Sequence, residues 1–217
     1  MTGRLAFVVG LKSEARIAGG LAFVGGGGAD GARRAAHAAA ASGATMLLSF
    51  GLAGGLSPFL PAGSLLVPRC VLWRDKRYPT SQQLGATLGG INAEYVLGGT
   101  GVVADRAEKA RLWKATGAEI IDLESGPVAE AATLAGLPFA VLRVVCDAAD
   151  HSLPPVAQLA LDQAGTIRIG QVAASLLRQP GQLRRLVLLA RDAGRARRAL
   201  KQKVAALRAI DPSGIWE

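Results

Sequence analysis

Three acidic side chains stand where a solvated charge is unexpected: Glu14 follows the first apolar run, Glu124 lies between an apolar run and a helical stretch, and Asp147 follows VLRVVC. At the ends of three strands they can converge on one cleft although they are far apart in sequence. Convergent carboxyls suit a reaction that passes through positive charge, such as glycosidic bond cleavage, in which one acid protonates the leaving group while others hold sugar hydroxyls or water. A structural role is the alternative, because Glu14 and Glu124 would also begin helices and favour the helix dipole. Three glycine-rich places accompany the acids: residues 25–28, Gly51 with Gly54 and Gly55, and Gly98 with Gly99 and Gly101. Each follows an apolar run and so falls at the C-terminal end of a strand, where open α/β sheets bind ligands. Glycine there permits positive φ and lets backbone N–H groups approach an anion or a sugar, although each run also reads as a tight turn. These runs support neither NAD nor ATP use. No serine sits in a nucleophile elbow. His37, on an Ala-rich helix, and His151, in a loop, lack partners at ligand spacing, and with no CxxC or HExxH the expectation is no metal site. His151 is weighed as a residue entering the cleft from four positions beyond Asp147. Cys70 and Cys146 read as buried free thiols in strands.

The elements that must position these residues alternate between apolar runs of strand length and Ala-rich helical stretches, which indicates an α/β fold with a parallel or mixed sheet covered by helices. Strands are expected at 4–10, 21–24 and 45–50, the last ending at Gly51, with a longer strand at 63–73 bent at Pro68. Helices are expected at 31–42 and at 105–116, the latter capped by Asp105. Residues 74–92 mix charges, Pro79, Gln and Gly without periodicity and read as a mobile loop. A short strand at 95–97, the segment IIDLESG, a helix at 126–135 and a strand at 138–146 follow, with helices in the remainder. The break at Gln179, Pro180 and Gly181 sets residues 1–179 apart from residues 180–217, read as a C-terminal helix and tail of the same domain.

A length of 217 residues suits one domain, and 50% hydrophobic against 19% charged residues excludes intrinsic disorder. The longest apolar stretch, 135–145, is interrupted by Gly136, Pro138 and Arg143 and falls short of the roughly 20 residues that span a bilayer. Lys12, Glu14 and Arg16 follow the first apolar run with no cleavage site, so a cytoplasmic protein is expected. The formal charge of +9 is unevenly placed: residues 1–167 hold 14 basic against 13 acidic side chains, and residues 168–208 hold 11 against Asp192 alone. Over residues 182–208, Leu186, Leu189, Ala193, Ala196, Leu200, Val204 and Leu207 recur at three- and four-residue spacing, with Arg184, Arg185, Arg191, Arg195, Arg198 and Lys201 opposite. Such a helix packs on its own domain, lies peripherally on an anionic membrane, or meets a phosphate backbone. Without interleaved aromatics or a recognised motif, nucleic acid is not expected as a partner.

Three blocks carry a resemblance: SFGLAGGL at 49–56, IDLESGPVAEAA at 121–132 and VLRVVCDAAD at 141–150. Over residues 4–155 the chain resembles the superfamily of nucleoside phosphorylases and methylthioadenosine/S-adenosylhomocysteine nucleosidases, and GLKSEARIA at 10–18 is similar to its hopanoid-associated phosphorylase subgroup. The resemblance implies a single phosphorylase/hydrolase-like domain of three layers, with a central mixed sheet flanked by helices. It implies an enzyme that cleaves the N-glycosidic bond of a purine nucleoside, a homo-oligomer, and no cofactor, with phosphate as an alternative to water. By position, Asp147 would be the general acid at N7 of adenine, Glu124 would hold the ribose 2′ and 3′ hydroxyls, and Glu14 would orient the attacking water. Val102, Val103 and Leu123 would line the purine slot, Gly54 and Arg143 would complete substrate binding, and Gly26, Gly27 and Leu52 would face phosphate or water. Leu52 stands where the family has a phosphate-holding Ser, and no Arg directly follows residues 25–28, which leaves Arg33, Arg34 or Arg143 for phosphate. The subgroup implies adenosylhopane as substrate; for such a substrate the basic helix is expected to lie on the membrane that holds it, and residues 74–92 to form a lid over the 5′ end. The other readings are a methylthioadenosine or S-adenosylhomocysteine nucleosidase, and a catalytically silent nucleoside-binding or membrane-associated protein.

Overall fold

The computed structural model describes residues 3–153 and 183–210. Strand β1 (Leu5–Val9) is buried along its whole length and pairs in parallel with β2 (Ala22–Val24) and β3 (Met46–Gly55). Helix α1 (Lys12–Ala18) connects the first two strands, and α2 (Ala29–Ala41) leads to the third. β3 runs on past Gly51, where the sequence places its end, because its last residues have two partners. They pair in parallel with β9 (Phe139–Asp147) and antiparallel with β8 (Ile120–Asp122). The β3–β9 register slips after Ala53, which sets Gly54 opposite Asp147. From β8 the sheet continues through β7 (Ala93–Gly98), β5 (Pro68–Trp73) and the edge strand β6 (Lys76–Pro79), while β4 (Leu65–Leu66) pairs with β9. A mixed sheet of nine strands results among the described residues.

Alternation along the strands supplies two cores, since successive side chains leave a strand on opposite faces. Ala6 and Val8 of β1 and Phe139, Val141 and Val145 of β9 meet small residues of α2 and of α5 (Ser125–Leu134), among them Ala35, Ala36, Val128 and Ala132. Leu5, Phe7 and Val9, with Leu142 and Val144, face the other layer, built from α1, α3 (Gln82–Thr87) and α6 (Leu183–Ile210). Helix α4 (Arg106–Thr116) begins at Asp105, whose carboxylate accepts the Ala107 and Glu108 N–H groups at 2.8 and 3.1 Å, as the sequence leads one to expect. The three-layer α/β architecture agrees with the sequence reading.

One expectation needs correcting. Residues 74–92 are not a loop: β5 and β6 form a hairpin with Arg74 at φ 53° in its turn, and Ser81 caps α3 through the Leu84 N–H. Leu84 and Leu88 are buried in the second core, which removes the segment as a movable cover. Helix α6 takes the first of its three readings and packs on its own domain: Ala196, Leu200, Val204 and Leu207 of its apolar stripe are buried against β9 and α1. Among the described residues no helix is long and apolar enough to cross a membrane. The break at 179–181 and the helices expected before it lie outside the described residues.

Candidate active site

The C-terminal ends of β1, β3, β8 and β9 open onto one cavity of about 270 Å³. Glu14, Glu124 and Asp147 all line it, together with Gly27, Leu52, Gly54, Val102, Val103 and Leu123. Carboxyls from three distant segments thus share one space. Gly26 and Arg143 do not line it.

Glu14 sits in the first turn of α1 and is buried. One carboxylate oxygen, Oε2, accepts the N–H groups of Gly10 at 3.1 Å and Leu11 at 2.8 Å; the other, Oε1, accepts Leu52 N–H at 2.9 Å. Burial raises its pKa, opposed by the Arg143 charge and these N–H donors. Oε1 keeps a lone pair for a ligand, whereas Oε2 has spent both on backbone donors. Glycine is required at two neighbours. A Cβ at Gly10 would lie 2.5 Å from Glu124 Oε1, and one at Gly51, where φ is 153°, would lie 2.6 Å from Glu14 Oε1 and 2.7 Å from Arg143 Nη1.

Arg143 alternates onto the α5 side of β9 with Val141 and Val145 and is fully buried. Its Nε pairs with Asp122 Oδ2 at 2.7 Å, and its Nη2 with Glu124 Oε2 at 3.2 Å and Ser49 Oγ at 2.7 Å. Asp122 in turn accepts the Glu124 and Ser125 N–H groups and the Ser125 hydroxyl, which fixes the turn from β8 into α5. Three carboxyls therefore gather round one guanidinium, and surplus negative charge faces the cavity whenever more than one is ionised. Burial, joined by the charges of Asp122 and Glu124's other neighbour Glu14, pushes Glu124 up to about 8 against the pull of Arg143. Arg143 is thus a brace behind the acids and not a ligand contact, which corrects its expected place in substrate or phosphate binding. Arg33 is held on the outside by Asp30 and Glu130.

Asp147 closes the far side. Lys109 of α4, with no exposed surface, donates from Nζ to Asp147 Oδ2 at 2.5 Å, to Ala148 O at 3.1 Å and to His151 O at 3.2 Å, using all three of its protons. Oδ1 receives the Cys146 thiol at 3.4 Å. Burial raises the Asp147 pKa, and Lys109 opposes it. The side chain of His151 points away from the cleft, 64% exposed and paired with Asp150. Cys70 and Cys146 are free thiols, the latter at the cavity wall. Among the described residues no group of His, Cys, Asp and Glu is arranged to hold a metal ion.

Sequence reasoning missed Asp122, Lys109 and the α6 wall of Leu189, Ala193 and Arg197. It also passed over the GxGxxG spacing of Gly26, Gly28 and Gly31, which lies between β2 and α2. No acid follows that run between Asp30 and Asp75, so the group that would hold a dinucleotide ribose about 20 residues further on is missing.

Residues 83–179 match the model of the family described as Phosphorylase superfamily. No curated protein matches the chain. Solved structures with a similar fold include a Helicobacter pylori 5′-methylthioadenosine/S-adenosylhomocysteine nucleosidase with 5′-methylthioadenosine in its active site, at TM-score 0.66 and 16% identity over 95% of this chain and 100% of that one. An S-adenosylhomocysteine nucleosidase from Streptococcus pyogenes has TM-score 0.62 and 16% identity over 68% and 84% of the two chains. A futalosine hydrolase from Helicobacter pylori has TM-score 0.62 and 18% identity over 69% and 90%. The chain shares the mixed α/β fold of these nucleosidases, and a stretch of it that includes β8, α5 and β9 matches the phosphorylase superfamily.

Proposed function

We propose that the protein cleaves the N-glycosidic bond of an adenine nucleoside. The observation that carries this reading is the convergence of Asp147, Glu124 and Glu14 on one cavity whose remaining wall is largely apolar. In the cleavage the C1′–N9 bond breaks and its electron pair passes to the purine. Asp147, its proton affinity raised by burial, donates a proton to N7, so that the base leaves neutral. Lys109 and Cys146 fix its two oxygens and keep the carboxyl aimed at the cavity. The sugar becomes oxocarbenium-like, and the carboxyl cluster stabilises that charge as it develops. Glu124, protonated below about pH 8, can both donate to and accept from ribose hydroxyls. Glu14 accepts a proton from the attacking water, its carboxylate held by three backbone N–H groups.

For the substituent at the ribose 5′ carbon we propose a large apolar group, as in adenosylhopane. Leu189 and Ala193 form an apolar wall, and Val102, which also lines the cavity, is 46% exposed. At about 270 Å³ the cavity is too small to enclose a pentacyclic lipid, so the lipid would project past these residues while the nucleoside stays inside. The second reading, methylthioadenosine or S-adenosylhomocysteine as substrate, draws on the fold shared with nucleosidases of those compounds. Adenine release from adenosylhopane in detergent, beside methylthioadenosine, separates the two. Release from the lipid nucleoside alone is expected; release from methylthioadenosine alone would make the small thioether nucleoside the substrate. The exposed basic face of α6 would then meet anionic headgroups through charge alone, because its apolar stripe is internal.

A further inference from the structure

Leu189, Ala193 and Arg197 are spaced four residues apart on α6, so they form one line along the helix, and all three line the cavity. Leu189 and Ala193 belong to the N-terminal part of the apolar stripe, and Ala196, Leu200 and Val204 beyond them anchor the helix to the sheet. Arg197 differs from the other two cations at the site. Lys109 has spent its three protons on Asp147 and two carbonyls, and Arg143 is occupied by Asp122, Glu124 and Ser49. Arg197 has no ion pair or hydrogen bond among the described residues, and its Nε is buried without an acceptor. Neighbouring arginines of the same helix behave otherwise: Arg195 pairs with Asp192 at 3.1 Å, and Arg208 donates to Ala18 O at 2.9 Å.

A guanidinium keeps its charge at any working pH, and a desolvated N–H of such a group without an acceptor is unfavourable. Placed in the wall of a ligand cavity, it asks for an acceptor that arrives with the ligand, and the matching chemistry is an oxyanion able to take two parallel N–H bonds. The four carboxyls Glu14, Asp122, Glu124 and Asp147 line the same cavity, so an anion is favoured only on the α6 side, beside Arg197. What fills the cavity then presents neutral or proton-accepting groups toward the acids and an anion, carried by the nucleoside or supplied separately, toward α6. We infer that Arg197 is an anion-recognising specificity residue of this cavity, taking a carboxylate or phosphate oxyanion that is either carried by the nucleoside on its sugar side or supplied as free phosphate to attack C1′. This inference rests on the nucleoside reading above. In the second case the C1′–N9 bond breaks, a phosphate oxygen forms the new bond to C1′, and the proton again goes to the base.

The test is direct binding to the full-length protein, read without turnover. Inorganic phosphate and an adenine nucleoside with a 5′-carboxylate serve as the two probes, with methylthioadenosine as the neutral control. Calorimetry and thermal shift are run on the wild type, Arg197→Gln and Arg197→Lys, after circular dichroism shows that the variants are folded. A loss of phosphate affinity of about tenfold or more in Arg197→Gln, partly restored in Arg197→Lys, assigns the free oxyanion. The same pattern for the carboxylated nucleoside alone assigns an oxyanion on the substrate. Equal affinity of the wild type and Arg197→Gln for both probes, or no binding of either by the wild type, overturns the inference. Adenine release from methylthioadenosine by the wild type is recorded separately, so failure of the nucleoside reading is visible as its own result.

Discussion

Removing the Arg143 guanidinium would leave Glu14, Asp122 and Glu124 buried against one another without a counter-charge, so Arg143→Met is expected to destabilise the fold by about 3–5 kcal/mol in urea unfolding. A change no greater than that of a surface arginine would show that the carboxyls are already neutral. Lys109 poses the same problem at the other acid. Lys109→Met deprives Asp147 of its buried partner, so the Asp147 pKa should rise further and the alkaline limb of the pH–rate profile, where the general acid loses its proton, should move upward. Glu124 gives a dependence of stability on pH with a definite sign. Its folded value of about 8 lies above the ordinary 4.5, so the folded state keeps a proton that the unfolded chain releases. That contribution is whole below pH 4.5 and fades as pH rises through about 8. The melting temperature should therefore fall between pH 5 and 8.5 in the wild type and fall less in Glu124→Gln; identical profiles would contradict the assignment. Glu14, Glu124 and Asp147 were legible in the sequence because a carboxyl after an apolar run is an anomaly in one dimension. Lys109 was not, since within RAEKARLWK it looks like any solvated lysine of a charged helix, and only the fold delivers Asp147 to its ammonium.

Among the elements, α6 was readable as an amphipathic helix, but periodicity alone could not say what its apolar face covers. That face closes the second core, so Leu200→Ala should cost about 2–5 kcal/mol, as a buried leucine does, and should lower the melting temperature. A variant as stable as the wild type would return the helix to the surface. The hairpin and α3 at 76–87 escaped detection for a different reason. β6 is a four-residue edge strand with two exposed cations, and α3 has only six residues, so neither shows its period; burial of Leu84 and Leu88 supplies what local propensity lacks. The length of β3 was underestimated because Gly51, Gly54 and Gly55 look like a turn. Here glycine admits Glu14 and Arg143 beside the strand, and Gly51→Ala is expected to lower activity by displacing both.

At the scale of the molecule, the alternation of strands and helices sufficed to predict three layers, whereas the convergence of four strand ends on one cavity depends on pairings that the sequence does not display. β8 lies against the end of β3 through only two residue pairs, Gly54 with Ile121 and Gly55 with Ile120, yet this contact places Asp122 and Glu124 across from Asp147. The whole account turns on whether those acids do chemistry on an adenine nucleoside. The most direct test is adenine release by the purified full-length protein, wild type beside Asp147→Asn, from methylthioadenosine and from adenosylhopane in detergent, with and without phosphate. The account predicts release by the wild type from at least one of them and a loss of about 10²–10⁴-fold in Asp147→Asn, the usual worth of a positioned proton donor. No adenine from either nucleoside with folded wild type, or an Asp147→Asn variant as active as the wild type, would contradict it.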